Sequence, residues 1–413
     1  MSANQFIFVV CQRGAEAVLK KELKPRHPEL RLAFSRPGFV TFKVVGELPE
    51  SFVLRSTFAR TYGWSLGKVK GETTTELIEE VTSLVPAQPF DHIHVWQRDE
   101  GVPGERGFEP FGTELAKATS EEVQAKLIPC LGEQQSNRSI PVNQTAHADQ
   151  RVLDIVLVEP NEWWIGYHVT NTLPSRWVGG VPPIEPYDDL PSRAYYKLAE
   201  AILWSQIPIR KNDLCIELGS SPGGATLRLL ELGAQVFAVD PAEMDEEVLE
   251  SQGVMHLRMR SKDVPKKDVQ GARWLVADLN VAPNYTLDSV EEFVQNQHLH
   301  LRGLILTLKL ADWSLAADLG AARARVKQWG FSVVKTRHLA FNRQEVCLVA
   351  VAIAWMFALE RNGYEGPQTK NVIQSSRKRC RRSNYTKNQN LQLHLRTSNA
   401  RRGELAVTLI AHR

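Results

Sequence analysis

Four polar residues stand where packing alone gives a polar side chain little to do. Lys197 lies in the run Ser192-Arg-Ala-Tyr-Tyr-Lys197-Leu, and Asp278 ends the apolar run Trp274-Leu-Val-Ala277. Lys309 ends Leu304-Ile-Leu-Thr-Leu308, and Glu345 opens Glu345-Val-Cys-Leu-Val-Ala350. If these apolar runs are strands of an open parallel sheet, Asp278 and Lys309 sit at carboxyl ends, the edge outside which such sheets bind ligands. The bland alternative is a pair of partly buried salt bridges, which add little stability by themselves.

The second set of residues is Leu214-Cys-Ile-Glu217-Leu218-Gly219-Ser-Ser221-Pro222-Gly223-Gly224, followed by Asp240. A short apolar run ending at a glycine suits a strand buried on both faces. Ser220 and Ser221 are placed to cap a following helix, and Pro222 has the φ of a first turn. The glycines let the backbone approach a ligand closely. Asp240 closes the next strand at the spacing where a carboxylate meets ribose hydroxyls in nucleotide-binding folds. The turn lacks the second glycine of G-x-G-x-x-G, which counts against a dinucleotide and an oxidoreductase. Glu217 would repel a pyrophosphate and attract a cationic ligand. S-adenosylmethionine, a sulfonium with an ammonium group, fits that requirement, with its own carboxylate at the helix N-terminus.

The elements that must position these residues follow from pattern. Residues 1–75 read as strand, amphipathic helix, strand, strand, the first half of a ferredoxin-like unit. Residues 76–180 read as a second α+β unit. It has helices over 74–84 and 120–128, a strand over 93–96, a glycine-rich loop over 101–110, and a hairpin over 151–158 and 162–169. Trp163, Trp164, Tyr167 and Trp177 could stack on nucleobases or simply cover that sheet. A linker rich in proline follows, then an amphipathic helix over 192–206 holding Arg193 and Lys197. From there strands and helices alternate to about residue 356, which argues for a doubly wound parallel sheet.

The sequence resembles the FtsJ-type ribose 2′-O-methyltransferases in five places. These are Ser192-Arg-Ala-Tyr-Tyr-Lys197, Leu218-Gly-Ser-Ser-Pro-Gly-Gly224, Asp278 with Ala282-Pro-Asn284, Lys309, and Arg343-Gln-Glu-Val346. Across residues 5–350 it is similar to the bacterial ribosomal RNA large subunit methyltransferase M family. That resemblance implies a ferredoxin-like N-terminal unit (1–75), a THUMP-like RNA-binding domain (76–180) and a Rossmann-like methyltransferase domain (181–356). It implies a catalytic tetrad of Lys197, Asp278, Lys309 and Glu345. S-adenosylmethionine would be held by Ser192, Glu217, Gly219, Ser221, Pro222, Gly223, Gly224, Asp240 and Asp278. The implied substrate is RNA, a cytidine of the large-subunit ribosomal RNA, with no metal. A ribose hydroxyl is a poor nucleophile and needs a proton acceptor, a role for Lys309 only when neutral. Asp278 would orient it, and Lys197 and Glu345 would position it, the four titrating as a coupled set. One departure stands out: the family has an acid about 20 residues after the Asp240 position, where this chain has Arg260, with Asp263 three residues on.

Charge and cysteines set the remaining bounds. The net charge is +3, but residues 366–413 hold 11 Lys/Arg against one acid, leaving −7 on the rest. Residues 357–413 therefore read as a basic, disordered tail that could grip phosphates. The longest apolar run, 346–359, has 14 residues, short of the ~18 needed to span a membrane. Five scattered cysteines without a C-x-x-C pair exclude a disulfide framework and point to a reducing, cytoplasmic setting. A monomer is expected. The competing readings are a non-catalytic RNA-binding or ribosome-assembly factor on the same fold, and 2′-O-methylation of another RNA.

Overall fold

The computed structural model of the chain describes residues 5–86, 88–132 and 140–352; the basic tail expected over 357–413 lies outside them. The first half runs β1 (Phe6–Val10), α1 (Glu16–Arg26), β2 (Leu30–Arg36), β3 (Phe39–Val44), β4 (Thr61–Lys70), α2 (Thr74–Leu84) and β5 (His92–Gln97). It continues with α3 (Glu114–Glu122), a π-helical turn, α4 (Ile128–Gly132), and the hairpin β6 (Arg151–Glu159) and β7 (Glu162–Val169). The seven strands form one sheet in the order β2-β3-β1-β4-β7-β6-β5. The strand β4, which sequence pattern did not reveal, pairs antiparallel with β1 on one side and β7 on the other. The two units expected over 1–75 and 76–180 thus share a single sheet.

Local chemistry explains where these helices begin. Thr73 caps α2 by accepting from the Glu76 N–H at 3.2 Å, and Thr113 caps α3 by accepting from Ala116 at 3.1 Å. The start expected at Ser120 is corrected: Ser120 lies inside α3 and its hydroxyl bonds back to the Lys117 carbonyl. The aromatic residues offered for base stacking are spent on packing. Trp163, Tyr167 and Trp177 are buried, and Trp164 packs on Phe39 while its indole N–H bonds Ser65 at 2.9 Å.

The second half contains α5 (Ala194–Ser205), β8 (Leu214–Leu218), α6 (Gly224–Glu231), β9 (Gln235–Val239), α7 (Glu246–Leu249), β10 (Val254–Leu257) and β11 (Trp274–Ala277). It ends with α8 (Pro283–Val294), β12 (Gly303–Lys309), α9 (Leu319–Gln328), β13 (Val333–Arg337) and β14 (Glu345–Val351). Its strand order is β10-β9-β8-β11-β12-β14-β13, so the order reverses between β8 and β11. Five strands are parallel, as expected. β14 runs antiparallel to both β12 and β13, which corrects the wholly parallel sheet. The reason lies in chain length: residues 338–344, between β13 and β14, are too few for a parallel crossover. No helix among the described residues is long and apolar enough to cross a membrane.

Candidate active site

The turn after β8 sits at the reversal of strand order, where open α/β sheets bind their ligands. Gly219 has φ +79°, and a Cβ there would stand 2.6 Å from the Asp278 carbonyl oxygen. Only glycine lets the ends of β8 and β11 approach so closely. Gly224 has the same role toward α5, since its Cβ would meet the Ser192 hydroxyl at 2.4 Å. The serine cap expected for the helix is not formed. Gly223, at φ +119°, occupies the cap position of α6. Ser221 instead spans to the neighbouring strand end: its N–H donates to Asp240 Oδ2 at 3.2 Å and its hydroxyl to the Glu243 carbonyl at 2.5 Å. Ser220 Oγ is buried with no hydrogen-bond partner, and Pro222 is exposed.

Two acids at this turn differ in character. Asp240 follows β9 half-buried, its Oδ1 accepting from Ala242 N–H at 2.8 Å. Each of its oxygens keeps a lone pair for a diol. Glu217 is 2% exposed and accepts from Thr226 Oγ1 at 2.6 Å. Burial, with Asp278 and Asp240 nearby, raises its pKa to about 8. Its surroundings favour the neutral acid at neutral pH, against the expectation that it attracts a cation by charge. Arg260 and Asp263 both lie exposed on one short turn after β10, the Asp263 N–H donating to the Arg260 carbonyl at 2.9 Å.

The four residues singled out from sequence meet in a closed ring. Lys197 projects from the first turn of α5, Asp278 follows β11, Lys309 ends β12, and Glu345 begins β14 directly opposite Lys309 in register. Lys197 Nζ lies 2.5 Å from Asp278 Oδ2 and 3.1 Å from Glu345 Oε1. Lys309 Nζ lies 2.8 Å from Asp278 Oδ1 and 2.5 Å from Glu345 Oε2. Acid and base alternate around the ring. Burial pushes the Lys309 pKa down, but Asp278 and Glu345 outweigh it and hold the ammonium above the ordinary lysine range. Burial would raise Glu345, yet Lys197 and Lys309 hold it well below the usual carboxylate range. In the free protein Lys309 is therefore charged. Asp278 Oδ1 is buried and, although within ion-pair distance of Lys309, accepts no aligned hydrogen bond.

Sequence pattern placed a glycine-rich loop over 101–110 but missed the contacts it makes beside this ring. Residues 101–112 reach across so that Glu109 binds the Arg193 guanidinium and Glu105 lies 3.1 Å from Arg343. Phe111 packs on Tyr196 and Phe341 at ring distances of 5.3 and 5.2 Å. It also missed Glu200, three residues after Lys197 on α5, whose helical spacing was the available signal.

Known proteins bear on this arrangement in two ways. Residues 190–341, which contain Ser192, Lys197, the turn after β8, Asp278 and Lys309, match the model of the FtsJ-like methyltransferase family. The chain is similar to two proteins named ribosomal RNA large subunit methyltransferase M. One, from Shewanella sp. (strain ANA-3), is 24% identical over 360 residues, which is 82% of this chain and 96% of that protein. The other, from Tolumonas auensis, is 26% identical over 369 residues, 83% of this chain and 94% of that protein. The crystal structure of TrmN from Thermus thermophilus aligns over 84% of this chain and 100% of that one at 14% identity, with a TM-score of 0.32, too slight a likeness to bear on fold or activity. The chain therefore carries an FtsJ-like methyltransferase domain in its second half, resembles the large subunit methyltransferase M proteins along most of its length, and is an S-adenosylmethionine-dependent methyltransferase.

Proposed function

We propose that this enzyme methylates a ribose 2′-hydroxyl of RNA, in large-subunit ribosomal RNA as its relatives' names suggest and at a cytidine as the resemblance of its sequence implies. The observation that supports this most directly is the Lys197–Asp278–Lys309–Glu345 ring at the switch point of the sheet. S-adenosylmethionine, when bound, supplies a methyl group already activated on a sulfonium. Asp240 would hold its ribose hydroxyls, Ser192 and the turn 219–224 would line its floor, and Asp278 would stand beside it at the end of β11. Glu217 would act from below by keeping Thr226 and α6 in place.

Lys309 Nζ stands where it can take the proton of a ribose hydroxyl as that oxygen accepts the methyl group. It can do so only after losing its own proton, which its two carboxylate neighbours resist. The ring therefore needs added positive charge beside it, and Lys197 and a bound sulfonium are the sources at hand. Asp278 and Glu345 keep the Nζ lone pair aimed and share the released charge. On the same reading the enzyme acts as a monomer in the cytoplasm.

The test is transfer of labelled methyl from S-adenosylmethionine to ribosomal RNA of cells lacking this protein, run beside Lys309→Ala. Label that resists alkaline cleavage of the RNA and disappears in the variant supports the proposal. Label on a base, or unchanged transfer by Lys309→Ala, overturns it. Transfer only to a small RNA would keep the chemistry and replace the target.

A further inference from the structure

Arg193, which caps α5, and Tyr196, Lys197 and Glu200 along one face of it stand at helical spacing. Three of them, Arg193, Tyr196 and Glu200, grip the connection between β13 and β14. Arg193 Nη2 donates to the Phe341 carbonyl at 2.9 Å. The Tyr196 ring stacks on Phe341 at 5.1 Å. Glu200 takes the backbone N–H groups of Ala340 at 2.9 Å and Phe341 at 3.1 Å, one on each carboxylate oxygen. Lys197, between them on the helix, reaches Glu345 itself.

A carboxyl group at this depth needs a reason. Glu200 is 0% exposed, and its burial raises its pKa to about 7 despite the two N–H groups and the cations Arg337 and Arg60. An apolar side chain of similar volume would serve packing alone at least as well. What it would not do is hold Ala340 and Phe341 at a fixed height along α5. From Phe341 the chain is pinned all the way to the ring. Asn342 Nδ2 donates to the Glu345 carbonyl at 3.1 Å, the Arg343 N–H lies 3.4 Å from Glu345 Oε1, and the Leu310 N–H bonds the Gln344 carbonyl at 2.8 Å.

We propose that Glu200 is a positioning residue for the methyl-transfer site: by clamping the Ala340–Phe341 backbone to the helix that carries Lys197, it sets Glu345 within reach of both lysines. Glu200 touches neither cofactor nor substrate and acts through Glu345. The inference rests on the proposed role of the four-residue ring, and it is specific to α5. A displacement of about 1 Å at a reacting group is enough to lower a rate about 100-fold.

The experiment uses the full chain and three variants, Glu200→Gln, Glu200→Leu and Lys309→Ala. Acylation of Lys309 by an amine-reactive ester at pH 8, read by mass spectrometry of peptides, reports how firmly the ring holds that ammonium and needs no RNA. Glu200→Leu is expected to raise Lys309 acylation at least fivefold and to lower kcat 10- to 100-fold, with the KM for S-adenosylmethionine changed less than threefold. Glu200→Gln keeps one acceptor at the same reach and should restore part of both losses, which covers the case in which the leucine variant folds poorly. Lys309 labelling equal to the parent in both variants, at unchanged fold by circular dichroism, overturns the clamp. So does a fall in thermal midpoint with kcat and labelling unaltered. If the parent transfers no methyl to RNA, the proposed function fails on its own, while Lys309 labelling still decides whether Glu200 sets the ring.

Discussion

The charge state of Lys309 gives the sharpest quantitative test. Asp278 at 2.8 Å and Glu345 at 2.5 Å hold its ammonium above the ordinary lysine value of 10.5 in the free enzyme. If neutral Lys309 accepts the ribose proton, its active fraction rises tenfold per pH unit everywhere below that value. Initial rates with both substrates far below their KM report the ionisations of the free enzyme. They should therefore climb with unit slope in log rate, about 100-fold from pH 7 to pH 9. The rise is not a stability effect of the ring. A lysine raised on folding contributes stability that is complete below its unfolded pKa and is lost only as pH climbs through the folded one. Glu345, depressed on folding, contributes above its unfolded value of 4.5 and loses that only as pH falls. Neither window includes pH 7 to 9. Replacing Glu345 by Gln removes one of the two restraining carboxylates, so any plateau should move to lower pH. The measurement is a pH–rate series for methyl transfer over this range. A rate that is flat, or that levels off below pH 8 in the parent enzyme, would refute the raised lysine as the base.

Three further perturbations separate the roles of neighbouring residues. Glu217→Gln replaces a neutral buried acid with its isostere, so S-adenosylmethionine affinity by calorimetry at pH 7 should change less than threefold. The folded pKa of Glu217, about 8, is raised, so the parent loses stability as pH rises from 4.5 to 8 while the variant does not. The variant's thermal midpoint should gain on the parent's across that range, and a constant difference would contradict the buried carboxyl. Gly219→Ala puts a methyl group 2.6 Å from the Asp278 carbonyl at φ +79°. It should destabilise by about 2–4 kcal/mol in chemical denaturation, with cofactor binding lost before the fold; a loss under 0.5 kcal/mol would show that the two strand ends separate freely. Glu105→Ala breaks an ion pair whose partners are each about half exposed, 51% and 53%, and should change stability by less than about 1 kcal/mol.

What could be read from sequence was what short spacing determines. The turn after β8, the helix α5 and the polar ends of β11 and β12 are local patterns, and each stands where its pattern placed it. What could not be read depends on partners far along the chain. β4 was missed because its place is set by Trp64 opposite Tyr167, about a hundred residues away, and not by its own interrupted alternation. β10 and β13 are short, with half-buried and exposed positions mixed, so neither shows a strong apolar run. The raised pKa of Glu217 follows from its burial, which outweighs the hydrogen bond from Thr226 and which no count of residues between motifs reveals. The join of the two N-terminal units into one sheet is likewise a matter of β4 meeting β7.

The direction of β14 shows why these omissions matter to the chemistry. An acid at the first residue of a strand sits at the amino edge of a parallel sheet, away from the ligand crevice. β14 has seven residues, so a parallel β14 would carry Glu345 about 20 Å from Lys309. Insertion of β14 antiparallel between β12 and β13 puts its first residue opposite the last residue of β12. A ring of two lysines and two acids can then form from three strand ends and one helix. The short link from β13 that forces this reversal is also the segment held by Arg193, Tyr196 and Glu200 on α5. The element that makes the reversed strand possible and the element that fixes its acid in place are therefore the same seven residues. A substitution that loosens that link should reach Glu345 before it reaches the sheet.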